Sequence, residues 1–196
     1  MLSVNTDAIR ARIRRLPEKV ETMANSTTKR DALMLIAFFR EGLEESSFPL
    51  PPLQLRTVQR KRKKGYSKPD NPLRGMGMEG TRTLASSLRV YKGGRGWVVK
   101  MPEVKHHESK LTVAHLLNIH ENGLAIKGAH GAVIRIPARP VFAMAYAKVM
   151  QWHSERDPSA EVQAACTEIL NGGDNNRERA IMAEVKRLEA MYGTVD

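Results

Sequence analysis

Two glycine-centred loops, each set between short runs of β-branched and apolar residues, restrict the fold of this chain more than any other feature. Ser87 to Tyr91 and Trp97 to Met101 flank Lys92-Gly93-Gly94-Arg95-Gly96, and Leu124 to Lys127 and Ala132 to Ile136 flank Gly128-Ala129-His130-Gly131. Glycine supplies the backbone freedom that tight turns need, so each set predicts a β-hairpin of antiparallel strands. Between them, Leu111 to His120 carries Val113, Leu116, Leu117 and Ile119 at helical spacing and ends at Asn122-Gly123, a left-handed stop.

The flanks read as helices. Ile9, Ile13, Leu16, Val20 and Met23 recur at steps of three and four after possible caps at Asn5, Thr6 and Asp7, which predicts an amphipathic helix, bent at Pro17. Asn25 to Thr28 is expected to interrupt it, with Thr28 capping a second helix from Arg30 to about Leu43. The apolar run Ala32 to Phe39 places that second helix in the core or a subunit contact. Beyond Pro140, helices are expected over Phe142 to His153, Ala160 to Leu170 and Asn176 to Tyr192, the last two parted by Asn171-Gly172-Gly173. No βαβ alternation occurs in this order. An α+β class follows: a small antiparallel sheet with two hairpins, packed by N-terminal and C-terminal helices, with a long basic arm. The expected organisation is one domain plus arm: helices over 1–47, an extended irregular arm over 48–83, sheet and corner with the following helix over 84–154, and a helical appendage over 155–196.

The arm begins where Pro49, Pro51 and Pro52 end the helical region, because proline lacks an amide donor and restrains its predecessor. Within it lie Arg56, Arg60, Lys61, Arg62, Lys63, Lys64, Lys68 and Arg74 against Asp70 alone, a local +7 out of a net +11 for the 196 residues. Like charges favour an extended, solvated segment, and such a cluster gains counterion entropy on meeting a polyanion. Contact with phosphates or with an acidic protein surface is therefore expected at Arg56, Arg60, Lys61, Arg62, Lys63, Lys64 and Lys68. Only Tyr66 offers a stacking face inside the run, and no helix-turn-helix, zinc-finger or RNA-binding motif accompanies it, which argues against sequence-specific reading.

Other classes find no support. The longest apolar run has eight residues where a membrane span needs about 20, and no secretory leader or membrane partner is expected. Cys166 is the sole cysteine, which excludes intrachain disulfides, fits a reducing compartment, and lies on an apolar helical stretch as a buried thiol. Gly75-Met76-Gly77-Met78-Glu79-Gly80 satisfies a dinucleotide-loop pattern, yet Asn71-Pro72-Leu73-Arg74 stands where the strand is required, so a flexible loop is expected. His106, His107, His115, His120, His130 and His153 form no metal-binding spacing. No nucleophile–base set or carboxylate pair stands out, so neither catalysis, a cofactor nor a metal is expected.

Ile136-Pro137-Ala138-Arg139-Pro140-Val141-Phe142 is more informative, since two prolines fix the backbone around one arginine where a strand hands over to a helix. Two readings apply to Arg139. It rivets the corner by a bidentate bond to a carboxylate or carbonyl with Phe142 seated in the core, or it meets a partner directly.

In its ordered motifs the chain resembles the phage virion morphogenesis, or tail-completion, family of contractile-tailed and Mu-like phages. The matching residues are Leu53 with Thr57 and Lys61 to Lys64, Pro72-Leu73, Leu84 to Leu88, Ile119-His120-Glu121-Asn122-Gly123 and Ile136-Pro137-Ala138-Arg139-Pro140. Gly80-Thr81-Arg82-Thr83-Leu84 stands where the family has Thr-Gly-x-Leu, and the region after Val149 is longer than a minimal member needs. The resemblance implies a non-enzymatic α+β subunit that forms a homo-oligomeric ring at the virion neck or head-proximal tail end, assembled in the host cytoplasm. It implies contacts with neighbouring neck or tail proteins and with packaged DNA. His120, Gly123, Pro137, Arg139, Pro140 and Phe142 are then structural or interface residues. The rival expectation from charge alone is a sequence-independent nucleic-acid-binding protein that uses the basic arm.

Overall fold

A computed structural model describes residues 6–45, 47–66, 69–70, 84–94, 96–105, 111–127, 133–173 and 175–193. The element order is α1 (Thr6–Glu44), α2 (Leu55–Lys63), α3 (Leu84–Ser87), β1 (Arg89–Gly93), β2 (Gly96–Lys100), α4 (Val113–Asn122), β3 (Leu124–Lys127), β4 (Val133–Ile136), α5 (Val141–Arg156), α6 (Pro158–Leu170) and α7 (Asn176–Tyr192). The fold is α+β, and each hairpin forms its own two-stranded sheet, β1 with β2 and β3 with β4. No helix among the described residues is long and apolar enough to cross a membrane.

The chain divides into two compact units: Met1–Met34, Val90–Val98 and Val149–Asp196 form the first, and Leu35–Arg89 and Val99–Lys148 the second. In the first, Met23 of α1 is buried against Ala165 and Ile169 of α6, with Leu16, Val162 and Cys166 around them. Ile181, Val185 and Leu188 give α7 its buried face. The expected break at Asn25 to Thr28 does not occur, and α1 runs unbroken for 39 residues through Pro17. Its polar side chains turn back on their own helix: Thr22 Oγ1 donates to the Glu18 carbonyl at 2.9 Å, Ser26 Oγ to the Thr22 carbonyl at 2.9 Å, and Thr28 Oγ1 to the Asn25 carbonyl at 3.0 Å. Asn25 is occupied by tertiary structure, since its Oδ1 accepts from Trp97 Nε1 at 2.9 Å. Residues that cap helices when their side chains are free are tolerated mid-helix when those side chains find such acceptors.

The first unit also buries a charge. Arg30 is fully buried, with Nη2 2.7 Å from Glu161 Oε2 and Nη1 3.3 Å from Glu184 Oε2. Arg156 reaches the same two carboxylates at 3.5 and 3.0 Å, and both arginines lie 5.1 Å from the Trp152 ring centre. Ion pairs and cation–π contacts together offset the desolvation of a buried guanidinium, and they tie α1, α5, α6 and α7 through residues that no periodicity marks.

In the second unit, Leu35, Ile36, Phe39 and Leu43 of α1 are buried, as are Phe48, Val58, Leu84, Leu88, Val113, Val141 and Ala145. Phe39 and Phe142 meet edge to face at 6.4 Å. The stretch expected as irregular arm contains α2, a correction with two causes. Leu, Arg, Gln and Lys are good helix formers, and Arg60, Lys61, Arg62 and Lys63 all fall in the last turn, where cations complement the helix dipole. Val58, 7% exposed, anchors the helix. Strands β3 and β4 pair antiparallel, Leu124 opposite Ile136 and Lys127 opposite Val133. They deliver the chain into the Pro137–Pro140 corner.

Candidate functional site: a braced corner and a basic helix

The corner forms where the end of α4 meets the handover from β4 to α5. Helix α4 starts at Thr112, whose side chain accepts from the His115 amide at 3.2 Å, and ends with Gly123 at φ 71° and ψ 174°. That backbone conformation is essentially restricted to glycine. Contact reinforces the restriction, because a Cβ on Gly123 would lie 2.9 Å from the Ile136 carbonyl oxygen and 3.0 Å from the Ala138 nitrogen. The His120–Gly123 and Ile136–Pro140 elements, separate in sequence, are thus pressed together backbone to backbone.

Arg139 joins them. It is 5% exposed, its amide donates to the His120 carbonyl, and its Nε donates to the Pro51 carbonyl at 3.4 Å. Of the two readings of Arg139, the corner rivet describes this geometry, with one carbonyl acceptor at Nε in place of a bidentate pair. Burial lowers the guanidinium pKa from its ordinary value. His120 is half-buried and its Nδ1 has no partner among the described residues. Burial first, and the Arg139 charge second, lower the imidazole pKa from 6.5 to about 4, so at neutral pH the pair carries one positive charge.

Glu121, between His120 and Gly123, does what sequence reading did not assign to it. Helix α5 is preceded by Pro140, which has no capping side chain, and the Glu121 carboxylate supplies the cap from α4: Oε1 accepts from the Phe142 amide at 2.6 Å and Oε2 from the Ala143 amide at 3.5 Å. The carboxylate also neutralises the positive end of the α5 dipole. A helix start with proline where Ser, Thr, Asp or Asn is expected is the sequence signal for a donated cap. Glu168 serves α7 likewise, accepting from the Asn176 and Arg177 amides at 3.0 and 3.4 Å.

Of the residues expected at the corner, His120, Gly123, Arg139, Pro140 and Phe142 converge, Phe142 half-buried with its ring on Phe39, while Pro137 lies exposed on the outside of the turn. Pro51, held by Arg139, leads directly into α2.

On α2 the cations do not share one environment. Arg62 pairs with Asp70 at 3.2 Å, and Lys61, half-buried, has its Nζ 5.4 Å from the Tyr66 ring centre, so the one aromatic of the run is engaged by a neighbour. Lys64 caps the helix with its amide on the Arg60 and Lys61 carbonyls. Arg56, Arg60 and Lys63 are exposed and form no ion pair with any described residue. Steps of four and three put these three on one stripe, and Val58 falls on the opposite side. Lys68 and the Gly75 to Gly80 loop lie outside the described residues. Among the described residues no three or more His, Cys, Asp or Glu side chains gather as a metal site would require.

No protein-family model, curated protein or solved structure matches the chain.

Proposed function

We propose that the chain is a structural virion protein of the phage neck or head-proximal tail end, acting in tail completion or head–tail joining by assembling a ring of identical copies. It performs no catalysis and uses no cofactor. The observation that carries the reading is the corner: the two most distinctive motifs of the family resemblance, Ile119 to Gly123 and Ile136 to Pro140, meet in space through Arg139, Gly123 and Glu121. Residues held by this many constraints form a rigid surface, and a rigid surface lowers the entropy lost when identical subunits associate. A head-to-tail contact between copies closes into a ring where its rotation closes, so modest pairwise affinity suffices. Pro51 links the corner to α2, whose Arg56, Arg60 and Lys63 stripe then docks on an acidic neighbouring ring or lies near packaged DNA.

Mass photometry of the purified protein and its detection in mature particles test the proposal together. A discrete oligomer and incorporation into virions are expected; a strict monomer absent from particles refutes it. Arg139→Ala should reduce soluble yield or oligomer mass more than DNA retention.

The cation stripe favours the second reading, a sequence-independent nucleic-acid-binding protein. Replacing Arg56, Arg60 and Lys63 by Gln should then make the fall of log affinity for duplex DNA with log salt less steep by about 2.7, at roughly 0.9 per lost phosphate contact. If virion incorporation survives that change and DNA binding does not, DNA is the partner of the stripe. Loss of incorporation with unaltered DNA affinity makes it a protein-docking surface.

A further inference from the structure

A small cavity in the first unit has the chemistry of an anion site. About 180 Å³ in volume, it is lined by Arg30, Arg156 and Arg177 together with Glu161 and Glu184. That space exceeds what a single water occupies. Three arginines against two glutamates leave the lining with a net +1. The two carboxylates are committed to the Arg30 and Arg156 guanidinium groups. Two donors remain. Arg177 makes no ion pair with a described residue, and Arg30 Nε is buried without an acceptor although both Nη atoms of the same guanidinium are bonded. A buried charged donor left unsatisfied is costly, and native structures rarely leave one without a ligand or solvent partner.

We infer that this cavity binds a small oxyanion of phosphate type, which accepts from Arg30 Nε–H and is clamped by Arg177, with Arg156 contributing charge from the side. Planar guanidinium groups match the oxygens of a phosphoryl group, and an oxyanion supplies the acceptor that Arg30 Nε lacks. Trp152, beside both Arg30 and Arg156, holds their planes while the glutamates prevent the arginines from repelling one another apart. The site is built entirely from α1, α5, α6 and α7 residues and does not depend on the ring-assembly reading.

Inorganic phosphate is the probe, titrated into the full chain at constant ionic strength with chloride as the balancing ion. Isothermal calorimetry should give saturable binding of one phosphate per chain, and the Arg30 Nε–H resonance should move along the same isotherm. Arg177→Ala should weaken binding by roughly tenfold to a hundredfold, the loss of one charge-assisted hydrogen bond. Arg60→Ala, on the remote basic helix, should leave it unchanged. Methyl phosphate in a parallel arm separates sources: equal affinity points to a phosphoryl group carried on a larger molecule, and binding of inorganic phosphate alone to the free ion. Absence of saturable binding overturns the inference. So does equal weakening by Arg177→Ala and Arg60→Ala, which marks diffuse attraction to a cationic protein. Because Arg177 is exposed and outside the Arg30 ion pairs, its variant retains the fold, and unchanged binding in it would equally refute the site.

Discussion

Acidification tests the corner through His120. The imidazole pKa lies at about 4 in the folded chain against 6.5 for the free group, because burial and the adjacent Arg139 guanidinium both oppose a second positive charge. A base with a depressed folded pKa stabilises the native state fully above its unfolded value. That contribution is lost as the pH falls from 6.5 through about 4. At about 1.4 kcal/mol per unit the shift sets an upper bound of roughly 3 kcal/mol, and solvent screening of a half-buried ring reduces it to about 2. The assay is hydrogen exchange of the Arg139 amide, whose N–H is bonded to the His120 carbonyl and so reads the corner locally. Protection should fall across that interval in the native sequence. In His120→Gln, which keeps a neutral polar side chain of similar size, the fall should be much smaller. The comparison separates His120 from Asp31. Asp31, whose pKa is raised chiefly by burial, contributes with the opposite sign, present at low pH and lost as the pH rises through its folded value. Identical pH profiles for the two proteins, or a His120 imidazole that titrates near 6.5 by NMR, would refute the account.

Gly123→Ala forces a side chain into a backbone region that only glycine favours and against the Ile136 carbonyl, so a loss of about 1–3 kcal/mol in urea unfolding is expected. Glu121→Ala removes the donated cap of α5 and should cost about 0.5–2 kcal/mol. Glu121→Gln, which retains an acceptor and loses the charge, should cost less; no loss in it would rule out a dipole contribution, and a loss equal to that of Glu121→Ala would rule out a contribution from the hydrogen bonds. Arg30→Ala removes the buried partner of Glu161 and Glu184, which keep Arg156, and should destabilise by about 1–3 kcal/mol, measured by tryptophan fluorescence in urea.

Much of the architecture was legible because its causes are local. Two hairpins form where they were expected, the first with a shorter loop because Lys92, Gly93 and Gly96 belong to its strands, the second around Gly128 to Gly131, which lie outside the described residues; the Asn122-Gly123 stop and the Asn171-Gly172-Gly173 break coincide with helix ends, where Gly123 and Gly172 take a positive φ. Tertiary structure decided what depends on partners far along the chain. Asn25 to Thr28 has the composition of a helix boundary, yet the helix continues because Trp97, 72 residues away, takes the Asn25 side chain and the neighbouring hydroxyls bond back to their own helix. Residues Leu55–Lys63 look too charged to order, yet buried Val58 and the carbonyl-rich end of the helix hold them. Arg30 carries no sequence signal of burial, yet it is the largest fully buried side chain among the described residues. The prolines around Arg139 announced a corner, while Glu121 as its cap and Pro51 as its acceptor required the fold, because a hydrogen bond across 21 or 88 residues leaves no periodicity in the sequence.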